Sequence, residues 1–420
     1  MTDLLSKISA DDAAIIERLR DQERKMIDRT VSWSEQNTGS WNTEGLKKFA
    51  PTLTDAYSEL DASVKLEDAP AFEAVNDKGE VYEVETSGIL RVEARPDAPI
   101  QVVMSGHYDT VFPENGGFDS VTDLGAGRLN GPGLADMKGG LVVMLEALKA
   151  FEAGPHKDKL GYKIVVTPDE EIGNFASAPA LHEAASSGAL IGMTYEPSME
   201  TGAMSGGRKG SSVFDIVLHG RAAHAGRAKM DGRSALEAAA AIVVQLEALN
   251  GVYEGVTFNV GKIEGGSAVN IVPDLAIIRF GARAPDAEAA AWATEQVNLA
   301  FKKAISRDGI TGHLHGGFYR PPKPRNDAQQ ALFDAVAGTG AALGLTLEFV
   351  DTGGVCEGNN IFAAGVPNVD TLGVRGGRIH SAEEFVDTDS FVERASLSAL
   401  LLNRLVDGRI DAHKIKALMG

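Results

Sequence analysis

From about residue 10 to 200, stretches with helical spacing of apolar residues alternate with short, nearly uninterrupted apolar runs. Ile100-Gln101-Val102-Val103-Met104, Lys163 to Val166 and Leu190 to Thr194 read as strands, whereas Asp11 to Glu35 and Leu141 to Phe151 read as helices. A strand buried on both faces shows no polar alternation, because neither side meets water. Such strands interleaved with helices restrict the fold to an α/β class, with a mostly parallel sheet covered on both sides.

The texture changes near Gly206-Gly207. Ser211 to Leu218 alternates as a half-buried strand, and Ser234 to Leu249 is an Ala-rich helix opening on a serine cap. Two strands follow at Val256 to Ile263 and Asp274 to Arg283, then a helix from Pro285 to Ser306 and a strand from Gly312 to Phe318. Strand-helix-strand-strand-helix-strand is the order of a ferredoxin-like unit. After Pro321-Pro322-Lys323-Pro324 the first texture returns, with a helix near Ala328 to Leu343 and a strand near Leu345 to Val350. The expected organisation is a larger α/β domain in two parts, 1–206 and 320–420, with a small domain inserted at 207–319.

A chain of 420 residues exceeds what one small core holds, in keeping with two domains. Its net charge of −19 argues against nucleic acid or an anionic membrane surface as the main partner. Cys356 is the single cysteine, which excludes an intrachain disulfide framework and a thiolate zinc site. The segment from Met1 to Met26 mixes charged and apolar residues without the apolar core of a signal peptide, and no run of apolar residues is long enough to cross a membrane. The expectation is a cytoplasmic enzyme.

The chemistry concentrates where strands end. Thr167-Pro168-Asp169-Glu170-Glu171-Ile172-Gly173 sets three acids side by side after the strand Lys163 to Val166. Crowded carboxylates repel, and burying them is costly unless a cation neutralises them. The strand at Val102 to Met104 runs into Ser105-Gly106-His107-Tyr108-Asp109-Thr110, and open parallel sheets build their sites beyond such carboxyl ends. His107 and Asp109 face one side, either as a metal ligand with its orienting acid or as a hydrogen bond closing a turn. Gly131-Pro132-Gly133-Leu134-Ala135-Asp136-Met137-Lys138-Gly139-Gly140 surrounds one aspartate with glycines. Asp136 is either aimed by a tight loop or caps the following helix, and the nucleotide-loop pattern is broken. Glu196 follows a third strand, and His380 in Ile379-His380-Ser381-Ala382-Glu383 adds a second imidazole.

His107, Asp136, Glu171, Glu196 and His380 are nitrogen and oxygen donors suited to Zn²⁺, Co²⁺ or Mn²⁺. Five such residues exceed one tetrahedral shell, so two ions sharing a carboxylate is the economical arrangement. Neighbouring Glu170 and Glu171 then differ in role, one a ligand and one a base, and spacing alone does not say which.

In order and at similar spacing, these motifs, together with Tyr195-Glu196-Pro197, resemble the co-catalytic zinc family of aminoacylases, acetylornithine and succinyl-diaminopimelate deacylases and glutamate carboxypeptidases. The resemblance covers nearly the whole chain. It implies that Asp136 bridges two metal ions, with His107 and Glu196 completing one and Glu171 and His380 the other. It further implies that Glu170 is the base that deprotonates a metal-bridging water and that Asp109 orients His107. Gly220-Arg221-Ala222-Ala223-His224-Ala225-Gly226 is similar to the family's lid motif, whose histidine crosses a homodimer interface to stabilise the oxyanion. Asn270 and Arg283 match positions that bind the substrate's carbonyl and carboxylate, and a guanidinium suits the latter because its fork binds bidentately.

The activity implied is hydrolysis of an amide or peptide bond next to a free carboxylate, on an N-acyl amino acid or short peptide. The carboxyl half is most similar to the glutamate-carboxypeptidase branch, while Glu196 occupies a position that is more often Glu in the deacylases. An N-acyl-amino-acid deacylase is therefore the alternative. A non-catalytic binding protein would require loss of a ligand or of the base, and all six positions hold competent residues.

Overall fold

A computed structural model describes Leu5 and residues 7–420. Its central sheet has six strands in the order Ser63–Glu67, Ile89–Ala94, Leu160–Thr167, Ile100–His107, Ile191–Thr194 and Asn368–Val369. The first two junctions are antiparallel and the remaining three parallel. Alternate residues of its central strands enter different cores. Val102, Met104, Ile164 and Val166 pack toward the helices Gly139–Glu152 and Ser390–Val406, while Val103 and Val165 pack with Leu181 and Ile361 of the opposite helical layer. Burial on both faces explains the unbroken apolar runs. The register aligns His107 with Thr167 and Ser105 with Thr194, so three neighbouring parallel strands end together.

A second sheet is wholly antiparallel, with strands ordered Thr257–Gly265, Leu275–Ala284, Gly210–His219 and Thr311–Arg320. The helices Ala235–Glu247 and Ala287–Ile305 close a separate core against one face of it. Ser234 caps the first helix as read from sequence, its hydroxyl accepting from the Glu237 amide at 3.1 Å. This is the ferredoxin-like order expected, and the whole is an α/β fold with a mostly parallel central sheet.

Some elements depart from the sequence reading. The helix expected from Asp11 to Glu35 is two, Ala10–Arg20 and Glu23–Ser34, because the Gln22 amide bonds to the Leu19 carbonyl and resets the ladder. The strand expected at Leu345 to Val350 is Phe349–Thr352, paired in parallel with Met204–Arg208. Two small units went unread: a hairpin of Phe72–Val75 and Val81–Val84, and a four-stranded sheet joining Gly376–Gly377, Phe385–Asp387, Arg128–Asn130 and Thr122–Gly125. Met1 to Leu4 and Ser6, part of the amino-terminal run considered above, lie outside the described residues. Among the described residues no helix is long and apolar enough to cross a membrane.

Asp12 anchors the first described helix to the last long one. Its carboxylate accepts from both Arg409 nitrogens at 2.7 and 2.9 Å and from Asn403 Nδ2 at 2.8 Å, with Arg404 at 3.8 Å. Burial alone would raise its pKa, but these bonds outweigh it and hold the group below its ordinary value. Removing one partner of a buried pair strands the other, so Asp12→Ala is expected to cost about 3–5 kcal/mol, read by denaturant unfolding. A depressed folded-state pKa stabilises fully above about pH 4 and loses that stabilisation as pH falls further. The gap between wild type and variant should therefore narrow in acid; a gap of constant size would contradict the ion pair as its source.

Candidate metal centre

The three aligned strand ends deliver the first donors. His107 is the last residue of Ile100–His107, Glu170 and Glu171 follow Leu160–Thr167, and Glu196 follows Ile191–Thr194. Asp136 comes from the turn before the helix Gly139–Glu152, where the Asp136–Met137 peptide is cis. Asp136 is thus no helix cap. Its loop is held by Glu384, whose carboxylate accepts from the amides of Gly133, Ala135 and Asp136 at 3.2, 2.9 and 3.1 Å. His380 reaches in from the loop between Gly376–Gly377 and Phe385–Asp387 with φ of 63°, a left-handed conformation rare for a non-glycine residue.

Asp136 lies between the two imidazoles. Its Oδ1 is 3.2 Å from His107 Nε2 and its Oδ2 is 3.3 Å from His380 Nε2. Glu171 Oε2 is 3.2 Å from His380 Nε2, and Glu196 Oε1 is 3.8 Å from His107 Nε2. The spacing left the Glu170–Glu171 question open; here Glu171 faces His380, while Glu170 Oε1 is 2.9 Å from Arg320 Nη2. Glu170 is also within 4.8 Å of His107 and Glu196 donor atoms. Asp109 ties both halves together: its carboxylate accepts from the amides of Glu170 and Glu171 at 3.0 and 3.1 Å and from Ser40 Oγ at 2.7 Å. His107 Nδ1 is 3.0 Å from the Asp109 carbonyl and 3.3 Å from its carboxylate, which leaves Nε2 aimed at Asp136. Asp169, the third acid of the run, takes no part. It accepts from the amides of Ala176 and Ser177 at 2.7 and 3.3 Å and so closes its own turn.

These charges do not balance among themselves. Burial pushes Glu170 up to about 7, with Arg320 pulling against it, and burial together with Asp136 pushes Glu171 up to about 8. Glu196 is raised for the same two reasons. Hydrogen bonds that His380 donates to Asp136 and Glu171 raise it to about 11. Such a cluster takes up protons at neutral pH unless cations replace them. Ligands of a tetrahedral ion with bonds of about 2.0–2.1 Å stand about 3.3 Å apart, the separation found around Asp136. The donor set and its spacing fit two divalent ions sharing Asp136.

A cavity of 390 Å³ opens beside the cluster, its wall including Asp136, Glu170, Glu171, Glu196 and His380 together with Arg208, Arg283 and Arg320. Arg208 is paired with Asp370, which also binds buried Lys323 at 2.7 Å. Arg283 has no acid partner among the described residues. His224 and Asn270 are exposed and do not line the cavity; the Ala225 amide donates to the Asn270 carbonyl at 2.8 Å, tying their two loops together. Sequence reasoning missed Arg320, Arg208, Glu384 and Ser40, because each acts through a partner 69 to 251 positions away.

Residues 103–404 match the model of peptidase family M20/M25/M40. The chain belongs to this family. As a member of the M20/M25/M40 peptidases it is a metal-dependent hydrolase. It is 26% identical over 314 residues to carboxypeptidase G2 of Pseudomonas sp. (strain RS-16), covering 73% of this chain and 74% of that one. It is 26% identical over 345 residues to a succinyl-diaminopimelate desuccinylase of Herminiimonas arsenicoxydans, covering 76% of this chain and 89% of the relative. An M20 family metallo-carboxypeptidase from Sulfolobus solfataricus superposes with a TM-score of 0.69 at 16% identity, over 90% of this chain and 98% of the other, a likeness of fold. The family resemblance and the fold class read from sequence are thus borne out.

Proposed function

We propose that this chain hydrolyses the amide or peptide bond next to a free carboxylate, in the manner of a glutamate carboxypeptidase. The observation that carries the reading is a carboxylate, Asp136, set between two imidazoles in the wall of a cavity that is also lined by Arg283, which has no acid partner among the described residues. His107, Asp136 and Glu196 would hold one ion and Asp136, Glu171 and His380 the other, most economically Zn²⁺, with Co²⁺ or Mn²⁺ also suited. Two ions there would supply Lewis acidity for a bound water and for the substrate carbonyl. Glu170 accepts the proton of the attacking water and passes it to the leaving amine. Asp109 keeps the His107 ring oriented. Arg283 fixes the substrate's carboxylate; Asn270, tied to the His224 loop and outside the cavity of its own chain, would reach the carbonyl only as His224 does, from a second copy. His224, supplied by a second copy pairing through the 207–319 lid domain, would meet the negative charge developing on the carbonyl oxygen.

A deacylase acting on N-acyl amino acids is the second reading. It is favoured by Glu196 and by the desuccinylase relatives. A panel of N-acyl amino acids and glutamyl conjugates, assayed with each ion, separates the two. Chelator-reversible hydrolysis of at least one class is expected, and silence of the metal-loaded protein toward every member would overturn both. Arg283→Ala is expected to raise KM by about 10- to 100-fold with little change in kcat, as for an anchor shared by ground and transition states. An unchanged KM would remove Arg283 from the binding of substrate.

A further inference from the structure

Arg320, the guanidinium that meets Glu170 at 2.9 Å, is itself held from behind. Its Nε and Nη2 both donate to the side-chain oxygen of Asn174, at 3.2 and 2.9 Å, and Nη2 also donates to the Glu170 carbonyl. Both residues are buried, Asn174 completely and Arg320 at 7% exposure. A guanidinium is a rigid planar fork, so two of its nitrogens on one acceptor set the plane of the whole group. Asn174 lies between Leu160–Thr167 and the helix Ala178–Ser186, in the same turn as Glu170. Its amide N–H donates to the Asp169 carbonyl at 2.8 Å, and its φ is 55°, a left-handed conformation that asparagine tolerates better than most residues.

The other end of the Asn174 side chain fixes which way it points. Nδ2 donates to Ser177 Oγ at 2.9 Å and to Thr167 Oγ1 at 3.3 Å. Those hydroxyls already donate elsewhere, Ser177 to Asp169 and Thr167 to Glu357, so they face Asn174 as acceptors. The amide therefore has one orientation, nitrogen toward the hydroxyls and oxygen toward Arg320. That oxygen is uncharged. A carboxylate in its place would compete for the charge of Arg320, whereas the amide sets the direction of the guanidinium and leaves its charge to Glu170.

We propose that Asn174 is a positioning residue of the hydrolytic centre, aiming Arg320 so that its Nη2 steadies the Glu170 carboxylate for proton transfer, a role that rests on Glu170 acting as the base in the reading above. Asn174 is not in the wall of the cavity and acts only through Arg320. A carboxylate free to turn presents its oxygen to the attacking water only part of the time. Loss of that orientation slows the reaction without weakening the binding of substrate.

Asn174→Gly isolates the side chain, because glycine takes a φ of 55° without strain. Turnover is expected to fall about 10-fold, with KM little changed and both ions retained. In an Arg320→Lys background, where a single ammonium replaces the fork, the same substitution should change kcat by less than about twofold, since residues that act through one another do not add. A second readout needs no turnover. In protein carrying ¹⁵N-labelled arginine, the Arg320 Nε–H, assigned by its loss in Arg320→Lys, should exchange with solvent at least about 10-fold faster in Asn174→Gly. That rate reports the hold on Arg320 whether or not an amide is hydrolysed, so silence toward every substrate would count against the hydrolase reading and not against the contact. An unchanged exchange rate, an equal loss of kcat in both backgrounds, or a loss carried by KM alone would overturn the positioning role.

Discussion

Glu170→Gln is expected to lower turnover by about 10²–10⁴-fold while ion binding stays intact, the usual consequence of removing a positioned general base. The amide is nearly isosteric and keeps an oxygen for Arg320, whose Nη2 stands 2.9 Å from Glu170 Oε1, so the pocket should keep its shape. What it cannot do is accept a proton. Burial pushes Glu170 up to about 7, with Arg320 pulling against it, so it takes a proton more readily than an exposed carboxylate does. The test is steady-state turnover together with ion content by mass spectrometry. Turnover like that of the wild type would refute the assignment. Loss of an ion would instead make Glu170 a ligand, a role its place within 4.8 Å of His107 and Glu196 donor atoms allows.

Arg320 also ties the base to the antiparallel sheet. It is the last residue of Thr311–Arg320, and Arg283 lies near the end of Leu275–Ala284, on the other side of the intervening strand Gly210–His219. Two guanidiniums therefore enter the cavity from one unit, while the acids and imidazoles enter from the other. Any change in how the two units sit would alter the charge balance at Glu170 and the distance to a bound carboxylate together.

Much of this was legible in the sequence, for a physical reason. Strands covered on both faces are apolar without interruption, and Ile100–His107 and Leu160–Thr167 announce themselves that way. Acids and imidazoles placed just past such runs mark the carboxyl edge of a parallel sheet. The same local signals do not reach the residues that complete the cavity. Arg320 looks like any strand-ending arginine until the fold brings Glu170 to it from 150 positions away. Glu384 sits beside the His380 motif as one more acid, and only tertiary structure turns its carboxylate onto the Asp136 loop. The hairpin Phe72–Val75 and Val81–Val84 escaped because its strands are only four residues long and the second is largely exposed, leaving little apolar pattern. Within the hairpin, Val75 finds its partners, Val217 and Ile277, on the distant antiparallel sheet.

Asp136→Asn is expected to remove both ions at once and take activity below detection. One carboxylate serves two imidazoles here, Oδ1 toward His107 and Oδ2 toward His380, at 3.2 and 3.3 Å. An amide in its place keeps one weaker acceptor and loses the negative charge that two adjacent cations need between them. His380→Ala, by contrast, removes a group from the Glu171 side only, and the His107–Glu196 side keeps all its donors. Ion content should accordingly fall from two to none for Asp136→Asn and from two to one for His380→Ala. Thermal stability follows the same order, because an ion held at about 1,000 times its Kd adds about 4 kcal/mol to the folded state. Chelation should lower the wild-type melting temperature as well, since it too leaves the cluster without cations. An Asp136→Asn protein that retains one ion would show that the two sites fill independently, and the shared carboxylate would no longer be what joins them.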